Sequence, residues 1–226
     1  MKLTVINHMY SQIGPFAFPV EKFRAELNRM FGGFQSSEAQ EKLPNGEVAK
    51  IYTFVKANRL IRFRTNRIDI EMAFGPYSSV EEFKEFVIEA STKIAKISSV
   101  KGNRIAFTAT AFIPNNENEV VNDCETIFNI EKTFDTSIEE FSLRINSIEE
   151  VRGEKVNNVF KCNDGMVTNN STKERQKCMF LTNDVNTVIS QSESRFAIDD
   201  AAFYLDDLIS IAEKTNDKFI RKIEEA

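Results

Sequence analysis

The sequence predicts a soluble α+β protein built from two successive halves, each closed by a long amphipathic helix. Three observations carry that expectation. Residues 47–74 carry the strongest strand signal, with Ile61 and Phe63 alternating with Arg62 and Arg64, and Ile68, Ile70, Met72 and Phe74 with Asp69 and Glu71. Ser79-Val80-Glu81-Glu82 is a capping box that opens an apolar stripe at helical spacing. A second helix, from about Ile198 to Ile223, begins with Asp199 and Asp200 and ends with Lys218, Arg221 and Lys222, the arrangement that suits a helix dipole.

Residues 3–13 are rich in β-formers and stop at Gly14-Pro15, so they read as a first strand. Pro19 opens a helix in which Val20, Phe23, Leu27, Met30 and Phe31 recur at helical spacing until Gly32-Gly33. Residues 34–46 are polar and read as a turn-like connection closing on Pro44-Asn45-Gly46. In the alternating region one antiparallel register satisfies both faces: Ile61 opposite Met72 and Phe63 opposite Ile70 inward, Arg62 opposite Glu71 and Arg64 opposite Asp69 outward. Such pairs contribute roughly 0.2–1 kcal/mol each. Beyond Gly75-Pro76, Val80, Phe83, Val87, Ala90, Ile94 and Ile97 form the stripe of the first long helix, which breaks at Lys101-Gly102-Asn103.

The order then restarts. Residues 104–113 form a strand ending at Pro114, and 117–128 place Val120, Val121, Cys124, Ile127 and Phe128 at helical spacing. Residues 139–149, 155–162 and 176–189 read as strands, with a polar loop from Asp164-Gly165 to Lys173 joining the last two. The closing helix carries Leu205, Leu208, Ala212, Phe219 and Ile223 on one side. The chain thus reads β-α-β-β-(β)-α twice, residues 1–101 and 102–226, packed as one unit. The expected architecture is a curved antiparallel sheet with the long helices on one face. The TATA-box-binding-protein-like and helix-grip architectures are arranged in this way, an analogy of topology that carries no function.

Composition narrows the functional classes. Of 226 residues, 42% are hydrophobic and 28% charged, enough apolar surface for a packed core. The 20 Phe against 4 Tyr and no Trp accompany many Asn, Lys and Ile, as in an AT-rich coding sequence, so the Phe load by itself marks no aromatic surface. A net charge of −5 argues against broad capture of nucleic acid. No stretch approaches the ~20 apolar residues that span a bilayer, and the first twelve residues lack the apolar run of a signal peptide. Cys124, Cys162 and Cys178 form no CxxC pair, and the single histidine, His8, completes no zinc spacing with them. They read as reduced thiols of a cytoplasmic protein.

Several constellations invite a chemical reading. Asp69-x-Glu71 places two carboxylates on one strand face, as in a Mg²⁺ nuclease, but Ala73 stands where such sites want a lysine. The arginines across the hairpin explain those acids more simply. Asp199, Asp200, Asp206 and Asp207, with Asp184, suggest a divalent ion, although acids at a helix start are expected without one. His8 lies in a strand beside Asn7, where a hydrogen-bonded structural role outweighs a general base. A nucleophile-and-base pair needs a histidine partner, and no phosphate-binding glycine motif is present. No catalytic residue, metal site or cofactor is therefore expected.

Two binding surfaces remain. Lys56, Arg59, Arg62, Arg64 and Arg67 are the dense basic run, a candidate platform for single-stranded nucleic acid. Phe74, Phe83, Phe107, Phe112, Phe203 and Phe219 are candidates to line a small-molecule pocket between sheet and helices, or else plain core.

The segments RFRTNRIDIEMAF with SSVEEFKEFVIEASTKI, and LTNDVNTVIS with FAIDDAAFYLDDLISIAEKTNDKFIRKI, resemble a sporadically distributed family of uncharacterised bacterial proteins of similar length. The resemblance covers about two-thirds of the chain and implies a cytosolic bacterial or phage-borne protein, with no reaction and no functional residue attached. Patchy occurrence suits an accessory protein of a mobile-element or conflict system. The expectation is a non-enzymatic protein-interaction or assembly module with a protein partner or self-association, with no membrane contact. A carrier of a small apolar ligand and a single-stranded nucleic-acid binder are the alternatives.

Overall fold

The computed structural model describes residues 3–16, 18–42, 46, 48–114, 141–168, 173–188 and 193–225. β1 (Thr4–Ile13) runs through the middle of an antiparallel sheet that has nine strands among the described residues. Alternation fixes its two faces. His8, Tyr10 and Gln12 are buried towards the helices, while Asn7, Met9 and Ser11 belong to the opposite face.

α1 (Val20–Met30) follows. After it β2 (Gln35–Lys42), β3 (Val48–Lys56), β4 (Arg59–Arg64) and β5 (Arg67–Ala73) form a meander that returns to pair with β1. α2 (Val80–Ala95) is capped as its sequence demands. Glu82 N–H donates to Ser79 Oγ and Ser79 N–H to Glu82 Oε2, each at 3.1 Å, satisfying two helix-end donors, an arrangement typically worth about 1 kcal/mol. Phe83, Phe86, Val87, Ala90 and Ile94 form its buried side.

Beyond it lie β6 (Lys101–Gly102), β7 (Arg104–Pro114), β8 (Ser142–Val151), β9 (Glu154–Thr168), β10 (Arg175–Thr187) and β11 (Phe196–Ala197). A single 3-10 turn (Ile198–Asp200) leads into α3 (Ala201–Glu224). The strand order is β2-β3-β4-β5-β1-β7-β10-β9-β8, with β6 and β11 paired separately. The helices pack on one face of the large sheet, over a main core that runs from Tyr52 and Phe54 through Tyr10 and Phe107 to Leu208. A smaller core of Ile113, Phe141, Phe160, Cys162, Met179 and Leu181 sits beneath Ile223 at the far end of α3.

Three expectations are corrected. The β4–β5 hairpin is shifted by two residues: Ile61 faces Ile70, Phe63 faces Ile68, Arg62 faces Asp69 and Arg64 faces Arg67. A shift of two leaves every side chain on its expected face, so alternation cannot distinguish the registers. The turn decides, closing over Thr65-Asn66 alone, and two-residue loops are the commonest hairpin connections. Residues 35–42 are a strand rather than a turn-like connection. The loop expected from Asp164 is shorter, because Asp164–Thr168 extend β9 against β10. The helix expected over 117–128 lies outside the described residues.

Candidate functional site

Among the described residues the sheet has a helix-covered face, an open face and two end strands, and the candidate residues are distributed among all of these.

On the helix-covered face, His8 is central. Its ring lies 4.5 Å from Phe74, 5.3 Å from Phe83 and 5.0 Å from Phe107, so three of the six candidate phenylalanines meet around one imidazole. His8 is 5% exposed, and its Nδ1 has no hydrogen-bond partner among the described residues. Three phenylalanine rings lie against the imidazole, and Nδ1 takes no part in the hydrogen-bonded role expected for it. Burial without a compensating charge pushes its pKa down to about 4. His8 borders a pocket of about 280 Å³ between β1, β7 and α3, with Glu213, Asn216 and Asp217 at its polar side. Burial also raises the pKa of Glu213.

The other three phenylalanines lie elsewhere. Phe112 is on the open face, 6.5 Å from Phe180. Phe203 is 53% exposed on α3 with the Arg152 guanidinium 4.1 Å from its ring centroid. Phe219 packs 4.9 Å from Phe160 towards the end of α3, beside a groove of about 390 Å³ that Ile145 of β8 also lines. The six line no common cavity. Periodicity had found apolar positions but could not say which of them share a face and a place along it.

The basic run is also divided. At the turn between β3 and β4, Lys56 and Arg59 face the helices, lying 5.9 Å from Phe34 and 5.2 Å from Phe86 around a pocket of about 430 Å³. Arg62, Arg64 and Arg67 are on the open face, where Arg104 of β7 joins them, since Arg67 and Arg104 flank Ile13 on either side of β1. Asp69 lies among them, 1% exposed, accepting from Ser11 Oγ at 2.7 Å and from Arg67 Nε, with Arg64 Nε at 4.0 Å. Sequence proximity had placed Lys56 and Arg59 in this cluster, and strand alternation removes them. Arg104 was missed because its neighbour in space is 37 residues away in the chain.

The acids are engaged individually. Glu71 Oε1 accepts from Asn7 Nδ2 at 2.9 Å. Asp200 caps its own turn through Ala197 N–H at 2.7 Å. Asp206 pairs with Lys84 at 2.9 Å, Asp207 with Arg152 at 2.6 Å, and Asp184 accepts from Asn186 at 3.0 Å. Among the described residues no three His, Cys, Asp or Glu side chains are grouped to hold a metal ion. Cys162 and Cys178 are buried and not joined in a disulfide, and burial raises the Cys178 thiol pKa.

The end strands differ in character. β2 is polar except for Ala39, and Glu38 is held by Arg24 at 3.7 Å and Lys50 at 3.2 Å. At the other end, every residue of β8 from Arg144 to Glu150 is exposed, with Ile145 at 47% and Ile148 at 59%.

These features define a mixed α+β protein built on one large antiparallel sheet, and no helix among the described residues is long and apolar enough to cross a membrane. No family model matches the chain, and no curated protein matches it. Among solved structures, the chain is similar to the di-domain ARO/CYC StfQ from the steffimycin biosynthetic pathway. That likeness has 9% identity over 96% of both chains and a TM-score of 0.23, too slight to bear on function.

Proposed function

We propose that this chain is a non-enzymatic assembly module that joins protein partners through the β8 edge of its sheet, which pairs with no further strand among the described residues. The uninterrupted exposure of Arg144–Glu150 along the end strand β8 supports this reading. An end strand presents unpaired N–H and C=O groups that template a further strand, and natural edges are usually blunted by charge, proline or a bulge. β2 is blunted by Glu38, Glu41 and Lys42, with Ala39 its single apolar residue. β8 has three charges as well, Arg144, Glu149 and Glu150, but it also exposes two large aliphatic side chains, Ile145 and Ile148. The strand order also supports two repeated halves, because β1 and β7 meet at the centre and each is flanked by the later strands of its own half.

Light scattering on a size-exclusion column tests the assembly. The wild-type mass is expected above the 25.8 kDa of one chain, and Ile148→Lys, which places a charge on an exposed edge position, is expected to return it to one chain. A wild type that runs as a single chain at every concentration would refute the reading.

A second reading follows from the open face. Arg64 and Arg67 pair with the buried carboxylate of Asp69, and Arg62 and Arg104 share that face, so four guanidiniums stand against the carboxylates of Asp69 and Glu71 on a chain whose net charge is −5. Such a patch favours a phosphate backbone. Retention on immobilised single-stranded DNA at low salt is expected to be lost in the Arg62→Glu/Arg64→Glu double variant. Absence of wild-type retention at low salt would remove this reading.

A further inference from the structure

We infer that the occupant of the β8 edge is the β8 of a second copy, paired antiparallel across a two-fold axis through Ser147. The inference rests on the assembly reading and adds to it the partner, the register and the closure.

The argument begins with parity. Two copies related by an axis perpendicular to the sheet keep their helices on the same side, so residues directly opposite each other must come from the same face. That restricts the pairing to registers in which odd residues meet odd and even meet even. In β8 the odd residues, Leu143, Ile145, Ser147 and Glu149, lie towards the helices, since they pair with Cys162, Phe160, Asn158 and Val156 of β9. The even residues, Arg144, Asn146, Ile148 and Glu150, lie on the open face.

Charge then selects among the permitted registers. With Ser147 opposite the partner's Ser147, Arg144 falls opposite the partner's Glu150, and by symmetry Glu150 opposite the partner's Arg144. Leu143 meets Val151 in the same register, Ile148 meets Asn146 and Ile145 meets Glu149. A slip of two residues in one direction puts Arg144 against Ile148 and Glu150 against Ser142, losing both charge pairs. A slip in the other direction puts Arg144 against the partner's Arg152. Of these three registers, the one centred on Ser147 alone sets opposite charges face to face twice.

The surroundings of Arg144 lead to the same choice. Within its own sheet it lies directly opposite Lys161, a like-charge pair that an acid on its free side relieves. The resulting dimer carries one continuous antiparallel sheet, with both sets of helices on one side. The groove lined by Ile145, Phe160 and Phe219 then lies alongside the new strand junction. Pairing β8 with β8 is isologous and closes at two copies, whereas β8 pairing with β2 would propagate without end.

Charge reversal tests the register. Wild type is expected to elute with twice the 25.8 kDa chain mass. Arg144→Glu and Glu150→Arg each create two like-charge contacts across the axis, and each is expected to weaken self-association by at least about tenfold. Mixing these two single variants restores opposite charges at both contacts. The introduced carboxylate of one chain meets the introduced guanidinium of the other, and the unaltered Glu150 of the first chain meets the unaltered Arg144 of the second. The mixture is therefore expected to recover the dimer mass as a heterodimer. Both positions are exposed, and a circular dichroism spectrum matching wild type establishes that each variant is folded. Recovery on mixing supports the register, because a fold defect within one chain would not be repaired by the other. Failure to recover, or single variants that remain dimeric, overturns it. A wild type that is monomeric throughout overturns the assembly reading itself, whereas a wild-type oligomer indifferent to both reversals leaves assembly standing and removes only this interface.

Discussion

Between pH 6.5 and about 4, the wild-type chain is expected to lose about 3 kcal/mol more stability than a His8→Phe variant. The sign follows from which state holds the proton. In the unfolded chain the imidazole takes up a proton near its ordinary value of 6.5, but in the folded chain burial delays uptake until about 4. Over that window the unfolded state binds more protons, so stability falls as the pH is lowered. Above it both states are neutral at His8 and the difference vanishes. Phenylalanine fits a site already bounded by Phe74, Phe83 and Phe107 and removes the unpartnered Nδ1. It is therefore expected to raise stability at neutral pH by about 1 kcal/mol. Urea unfolding of both proteins across this pH range measures the effect. Curves that stay parallel would show that His8 takes no part in acid sensitivity.

Phe83→Ala is expected to cost about 3–5 kcal/mol, the usual range for emptying a large aromatic site in a packed core. Phe83 is fully buried on α2, with its ring 5.3 Å from His8 and 5.9 Å from Phe107. Its loss leaves a void bordered by the sheet on one side and the helix backbone on the other, neither free to collapse. Phe203→Ala, on the exposed side of α3, is the control, and its cost is expected to stay below about 1 kcal/mol. The same denaturation experiment reads both, and equal costs would contradict the assignment of Phe83 to the core. The Phe83 and His8 changes share contacts, so their effects are not expected to add.

How far the sequence reveals this molecule depends on the range over which each signal acts. The capping box at Ser79 and the stripe that follows it are local, and the structure has both in the expected place. The faces of β4 and β5 are also local, being a matter of parity. Their register is not: Ile61 opposite Met72 and Ile61 opposite Ile70 both give apolar contacts, and the Thr65-Asn66 turn chose between them. β2 escaped notice because an end strand with solvent on both faces has no apolar alternation to display. The candidate sites were the least legible part. Lys56 and Arg59 are close to Arg62 in sequence and on the opposite face in space. Arg104 is distant in sequence and shares a lateral row with Arg67. The phenylalanines around His8 come from α2, β7 and the segment that follows β5, while His8 itself is on β1, and no pattern along the chain marks that meeting.

The pairing of β1 with β7 at the centre of the sheet has a consequence for how the molecule is made. Residues 4–13 find one neighbour in 67–73 and the other in 104–112, so one side of the central strand stays unpaired until the ribosome has delivered both. During that interval Tyr10 and its meander can fold against α1 and α2, but the seam between the halves stays open. Closing it joins segments about a hundred residues apart, and such long-range pairing makes folding slow. The exposed flank of β1 is then the place where a nascent or heated chain is most prone to pair with the wrong molecule.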